Sequence, residues 1–184
     1  KAIIVVSFAG QSPKMEIIKR IALKHKIKII EDNAQSLFST YKKKLIGHYG
    51  DISSFSFENS KHLSSGEGGV TITNNPILAK IMRKAGNHGF IKLNCNSDSV
   101  KFKENDLLNS NLKRHDEIGW NYRMPEFNAA IGLAQLEKAK KLGNLRIKSA
   151  NLFLKVIRQY PEFFTPQKTY KESFNSYWTV SVRY

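Results

Sequence analysis

"AIIVVSFAGQSPKMEIIKRIALKHKIKIIEDNAQS", residues 2–36, decides the fold. AIIVV is a short, unbroken apolar run, the pattern of a strand buried on both faces of a parallel sheet. A loop with Gly10 and Pro13 follows. Met15, Ile17, Ile18, Ile21, Ala22 and Leu23 then recur at helical spacing up to His25. The next apolar run, IKII at 27–30, reads as a second strand. Two strands joined by one helix make a right-handed βαβ unit. The segment EDNAQS leaves the carboxyl end of the second strand, where open α/β sheets bind ligands.

Beyond it lies "DISSFSFENSKHLSSGEGGVTITNN", residues 51–75. A strand-like run leads to Lys61, three glycines follow at 66, 68 and 69, and a second strand-like run starts at Val70. Helical spacing resumes at 77–85 and ends in GNHGF. Residues 92–114 are polar, rich in Asn and Ser, and read as a long, irregular surface insertion. In MPEFNAAIGLAQLEKAKKL, Pro125 suits a first helical turn and Glu126 the positive helix end. The pattern predicts one helix through Leu142 and a second from Leu145 to Gln159, stopping before Pro161. SYWTVSVRY at 176–184 alternates like a strand. The chain opens inside an apparent strand and closes inside another, so the expectation is a piece of a longer protein.

The 184 residues suffice for one sizeable core, and 41% hydrophobic residues exclude a disordered or collagen-like class. One cysteine, Cys95, excludes a disulfide framework and a cysteine metal cluster. Its polar setting reads as a free surface thiol in a reducing, cytoplasmic compartment. No apolar run is long enough to span a membrane. The net charge of +15 raises nucleic acid as a partner. The lysines are scattered, however, without the arginine clusters and interleaved aromatics of a binding groove. Neither nucleic acid nor membrane is therefore expected as a partner.

Three positions carry chemistry. A lysine at a strand end among small residues, Lys61, suits Schiff-base formation when partly desolvated, although on spacing alone an exposed lysine reads as well. Asp32 follows the second strand and suits a cationic heterocycle, or equally a turn cap. In SSFSF, strand alternation sets Ser54 and Ser56 on one face, where a hydroxyl can donate to a phosphate. The glycines allow positive φ and close backbone approach, or a plain hairpin connection.

Taken together, IIEDNAQS, GDISSFSFENSKHLSSGEGGVTITNN, GNHGF and GWNYRMPEFNAAIGLAQLE, in that order, resemble the DegT/DnrJ/EryC1/StrS family of pyridoxal-phosphate-dependent sugar aminotransferases. The likeness runs from residue 1 to about residue 160. It implies an α/β chain of the aspartate aminotransferase-like fold type I, with a mostly parallel sheet flanked by helices. Residues 1–144 would belong to the large cofactor domain. Residues 145–184 would be a linking helix and the start of a small C-terminal α+β domain. It also implies pyridoxal 5'-phosphate as cofactor, a nucleotide-linked keto sugar as substrate, glutamate as donor and no metal.

By the same resemblance Lys61 carries the cofactor, Asp32 pairs with its ring nitrogen and Gln35 lies near the ring and its phenolic oxygen. Ser56 matches a phosphate-binding serine. Asn121 matches an asparagine that reaches the neighbouring subunit's cofactor phosphate, so a homodimer with shared active sites is implied. Arg123 is read as a structural ion-pair partner, His88 as structural, and His62 as lining the pocket entrance. Relatives that dehydrate sugars carry histidine where Lys61 stands, so lysine favours transamination with ping-pong kinetics. Amination at C4 of a deoxysugar for a surface glycan is the expectation, with C3 and the choice of nucleotide open. The family's N-terminal portion and most of its small domain are not represented, so the piece alone is expected not to turn over. The rival readings are a non-catalytic cofactor-binding homologue and a basic nucleic-acid-binding module.

Overall fold

The computed structural model describes residues 1–94 and 99–184; Cys95, expected as a free surface thiol, lies outside the described residues. The chain divides into a larger unit, Lys1–Ile72 with Pro125–Tyr184, and a smaller one, Thr73–Met124.

In the larger unit the expected βαβ unit forms. Strand β1 (Ala2–Val6) leads through a 3₁₀ turn to α1 (Met15–Lys24) and strand β2 (Lys28–Asp32), which pairs parallel to β1. Two short strands, β3 (Thr40–Tyr41) and β4 (Lys44–Leu45), form a hairpin. Strand β5 (Ile52–Ser56) then pairs parallel to β2, and β6 (Gly69–Ile72) runs antiparallel to β5. The sheet order is β1-β2-β5-β6, mostly parallel with one antiparallel edge.

The core sits on one face of this sheet, where Val5, Met15, Ala22, Ile29 and Tyr41 pack together with Ile3, Ile18, Ile27 and Tyr49. Expected burial of β1 on both faces does not hold: Ile4 and Val6 are exposed. Strand residues alternate between faces, and α1 covers the face of Ile3 and Val5.

In the smaller unit, α2 (Pro76–Gly86) opens with Asn75 as its cap, whose side chain accepts from the amides of Ile77 and Leu78. The polar stretch expected to be irregular carries β7 (Leu93–Asn94), β8 (Ser99–Val100) and α3 (Glu104–Leu107). Phe90 stacks on His115 at 4.5 Å, and Lys92 is paired with Asp106. Asparagine and serine hide this order from a periodicity reading, because short elements tied by side chains leave no apolar repeat.

Back in the larger unit, α4 (Glu126–Leu136) starts directly after Pro125, and α5 (Ala139–Ile157) follows almost at once. The helix break falls at residues 137–138, not at Gly143 as the sequence suggests. Gly143 lies inside α5 because Phe38 packs there: a Cβ would sit 3.0 Å from the ring. The end of the chain forms β9 (Thr165–Pro166), β10 (Ser173–Phe174) and β11 (Val182–Arg183), with β10 on β3 and β11 on β9. The expected strand at 176–184 is thus reduced to Val182–Arg183, since Tyr177 takes a left-handed φ of 53° and turns the chain.

Candidate active site

Register places the site. Val6, Asp32 and Ser54 lie level across β1, β2 and β5, and Ser56 follows two residues further along β5. Asp32 and Ser56 therefore end neighbouring parallel strands at their carboxyl edge, the edge where such sheets collect ligands. Asp32 Oδ1 accepts from the Ala34 amide at 3.1 Å, which makes it a turn cap, and Oδ2 has no partner among the described residues. Ser56 Oγ accepts from the Glu58 amide at 3.2 Å, leaving its own proton to donate. Gln35 Oε1 accepts from the Ala9 amide at 2.9 Å, tying the loop after β2 to the loop after β1.

Glu31 escaped the sequence reading. Alternation along β2 turns it away from Asp32, and it is 1% exposed. Its carboxylate accepts from the amides of Gly47 at 2.8 Å, Tyr49 at 2.8 Å and Gly50 at 2.5 Å, and from Ser53 Oγ at 3.3 Å. Three backbone donors converging on one carboxylate fix the loop that enters β5 and leave a buried charge well solvated by the protein.

Lys61 lies in the connection between β5 and β6, outside any regular element. Its Nζ sits 4.6 Å from the centroid of the Trp178 ring and makes no ion pair among the described residues. The adjoining glycines earn their place by geometry. Gly66 has φ of +81°, and a Cβ on Gly69 would lie 2.7 Å from the Phe55 carbonyl oxygen. Asn128 of α4 clamps the same turn, donating from Nδ2 to the carbonyls of Ser65 at 2.7 Å and Glu67 at 3.0 Å.

His62 does not line an entrance. It is 5% exposed, with Nε2 2.9 Å from Ser176 Oγ and 3.2 Å from Ser176 O. Burial, and then the nearby Arg146 charge, push its pKa down to about 4, so the ring is neutral at neutral pH. Ser176 continues the network to Ser39 Oγ at 2.8 Å, and Ser39 donates to the Gly10 carbonyl.

Asn121 belongs to the smaller unit. Its Oδ1 accepts from Arg123 Nε at 2.9 Å, and its backbone bridges to Asn87. Arg123 also contacts His88 Nε2 at 3.2 Å; among the described residues it has no carboxylate partner, in contrast to the ion pair expected for it. His88 is structural: it takes φ of +57°, and its carbonyl lies 2.7 Å from His115 Nδ1.

The larger unit thus brings Asp32, Gln35 and Ser56 to one sheet edge and hangs an amine with no ion pair among the described residues on the connection that follows β5. An unneutralised amine suits covalent capture of a carbonyl, a carboxylate oxygen without a donor suits a cationic ring, and a free hydroxyl proton suits an anion.

Comparison with known proteins agrees with this chemistry. A GDP-perosamine synthase from Escherichia coli O157:H7 is 36% identical over 182 residues, covering 99% of this chain and 44% of that protein. A Helicobacter pylori UDP-4-amino-4,6-dideoxy-N-acetyl-beta-L-altrosamine transaminase is 31% identical over 166 residues, covering 90% of this chain and 40% of that protein. The chain therefore spans less than half the length of these relatives. Among solved structures, an E. coli GDP-4-keto-6-deoxy-D-mannose-3-dehydratase with bound hydrated PLP matches with a TM-score of 0.81 at 28% identity, over 99% of this chain and 46% of that one. The family model for the DegT/DnrJ/EryC1/StrS aminotransferases matches residues 1–184, and the chain belongs to that family.

Proposed function

We propose that the protein carrying this chain is a pyridoxal 5'-phosphate-dependent aminotransferase that moves an amino group from glutamate to C4 of a nucleotide-linked keto-deoxysugar. The observation that carries the reading is Lys61: a lysine whose amine lies over an indole and makes no ion pair among the described residues, on the connection leaving the sheet edge that ends in Asp32 and Ser56. The residues fit the cofactor by their open valences. Asp32 Oδ2 is unbonded among the described residues, and Ser56 Oγ still has a proton to give.

Lys61 would hold the cofactor covalently, Asp32 would keep its ring nitrogen protonated, and Ser56 would donate to its phosphate. Gln35 holds the loop after β2 in place through Ala9 and would lie beside the ring. Asn121 would serve the phosphate of a neighbouring subunit's cofactor, which makes the working form a homodimer in the cytoplasm. When bound, the cofactor supplies an electron sink for the carbon that gains or loses the amino group. Lys61 Nζ would take and return the proton at that carbon.

The relatives support the substrate class and pose the alternative. One is a GDP-perosamine synthase and another a transaminase of a UDP-linked amino sugar, whereas the solved neighbour is a dehydratase. Lysine at position 61 favours transfer of an amine over dehydration. The test incubates the enzyme with glutamate and a panel of nucleotide-linked keto sugars, with products read by mass. A 4-amino sugar formed with 2-oxoglutarate supports the reading. A dehydrated sugar, or no product with any nucleotide, overturns it.

A further inference from the structure

Arg146 has no part in the chemistry above, yet it is joined to the lysine by a direct hydrogen bond. From α5, its Nη1 donates to the Trp178 carbonyl at 2.9 Å and its Nη2 to the Lys61 carbonyl at 3.2 Å. Neither carbonyl has another hydrogen-bond donor among the described residues. On either side of this bridge the same two segments are linked again. Trp178 Nε1 donates to the Ser60 carbonyl at 3.1 Å, and His62 Nε2 bonds Ser176. Residues 60, 61 and 62 are thus each tied to residues 176–178, with the guanidinium at the centre and Lys61 Nζ over the indole on the same structure.

The Lys61 backbone lacks a sheet ladder to fix it, its amide donating only to the Glu58 carbonyl at 3.0 Å. We propose that Arg146 is a positioning residue for Lys61: its planar fork sets the Lys61 carbonyl against the Trp178 carbonyl and so fixes the point from which Nζ rises. Only a guanidinium presents two parallel donors in a rigid plane; an ammonium reaches one such carbonyl well. The inference rests on the reading that Lys61 carries the cofactor, and it assigns to α5 a direct hold on that residue.

The test uses pyridoxal 5'-phosphate as probe, with borohydride reduction and mass mapping of the tagged lysine over time. Wild-type protein tags Lys61 first. In Arg146→Ala the rate of tagging at Lys61 falls about tenfold, as expected when two carbonyls lose their donors. Tagging of Lys148, exposed on the same helix, serves as the internal control and is unchanged. Millimolar guanidinium restores the Lys61 rate and ammonium does not, a rescue that a general loss of structure would not show. Amide exchange at residues 60–63 quickens in the variant. Should Arg146→Ala fail to fold, Arg146→Lys is read in its place, with a fall of about threefold from the loss of one of two hydrogen bonds. Wild-type tagging rates at Lys61 in the folded variants overturn the proposal. A tag that arrives first on another lysine in the wild-type protein overturns the role of Lys61 itself, which separates the two failures.

Discussion

The end of β2 and the lysine connection are held by different means. At β2, the backbone does the holding: parallel ladders run to β1 and β5, and Glu31 gathers the amides of the loop that enters β5. At residues 60–62, side chains do it: Arg146, Trp178 and His62 tie the connection to segments more than 80 positions away. The ladder gives Asp32 and Ser56 rigid places that any strand could occupy. The clamps give Lys61 a place that depends on particular residues, while its amine lies over the Trp178 ring. A reactive amine on a strand would be fixed but surrounded by ladder geometry; on a clamped loop it can swing without loss of the fold.

The widest contrast is expected for Lys61→Ala. Cofactor tagging at the site and the visible absorbance of the bound cofactor should vanish, while stability moves by no more than about 1 kcal/mol, because only the contact with the Trp178 ring is lost. Thermal melts and borohydride mapping on one preparation check both halves.

The neighbouring acids should separate the other way. Glu31→Ala strands three half-buried amides and should cost about 3–4 kcal/mol in denaturant unfolding. Asp32→Asn keeps the Ala34 cap and should cost less than about 1 kcal/mol, yet weaken cofactor binding. Equal stability losses for the two would break the distinction between a residue that holds the sheet edge and one that faces the ligand.

The clamp side has a pH signature. His62 titrates at about 4 in the fold against 6.5 in the unfolded chain, so on acidification the unfolded chain takes up its proton first. Its contribution is complete above pH 6.5 and is lost as pH falls from 6.5 toward 4, by about 3–4 kcal/mol in all. Melting temperature against pH should fall more steeply in wild type than in His62→Gln, which has no such group to protonate. The smallest effect belongs to the ladder's outer rim: Lys28→Ala, which removes an exposed pair with Asp51, should cost about 0.5 kcal/mol and leave tagging unchanged.

The two regions also differ in how far the sequence discloses them. The βαβ unit, Asp32 at the strand end and the lysine beyond β5 follow from periodicity and motif order, because a ladder is a local pattern repeated. Glu31 was invisible, since an acid at the end of an apolar run gives no sign of which amides will turn toward it. Arg146 and Trp178 were invisible for a related reason: they act on Lys61 across 85 and 117 positions, and helical spacing marks α5 only as a helix. Gly143 was misleading, as glycine usually ends a helix, but here it makes room for Phe38. The strand expected at 176–184 gave way because Asn175 and Ser176 are buried in the clamp, a demand that outweighs alternation.

The link from residue 62 to residue 176 also sets an order of events in the making of the protein. Among the described residues, strands β1, β2 and β5 have their ladder partners once residue 72 has emerged from the ribosome. The amine of Lys61 then waits, unplaced, through the synthesis of more than a hundred further residues until Trp178 arrives. Until then the nascent chain has these ladders paired and the loop around Lys61 untethered, so the placing of that lysine waits on contacts made far along the chain.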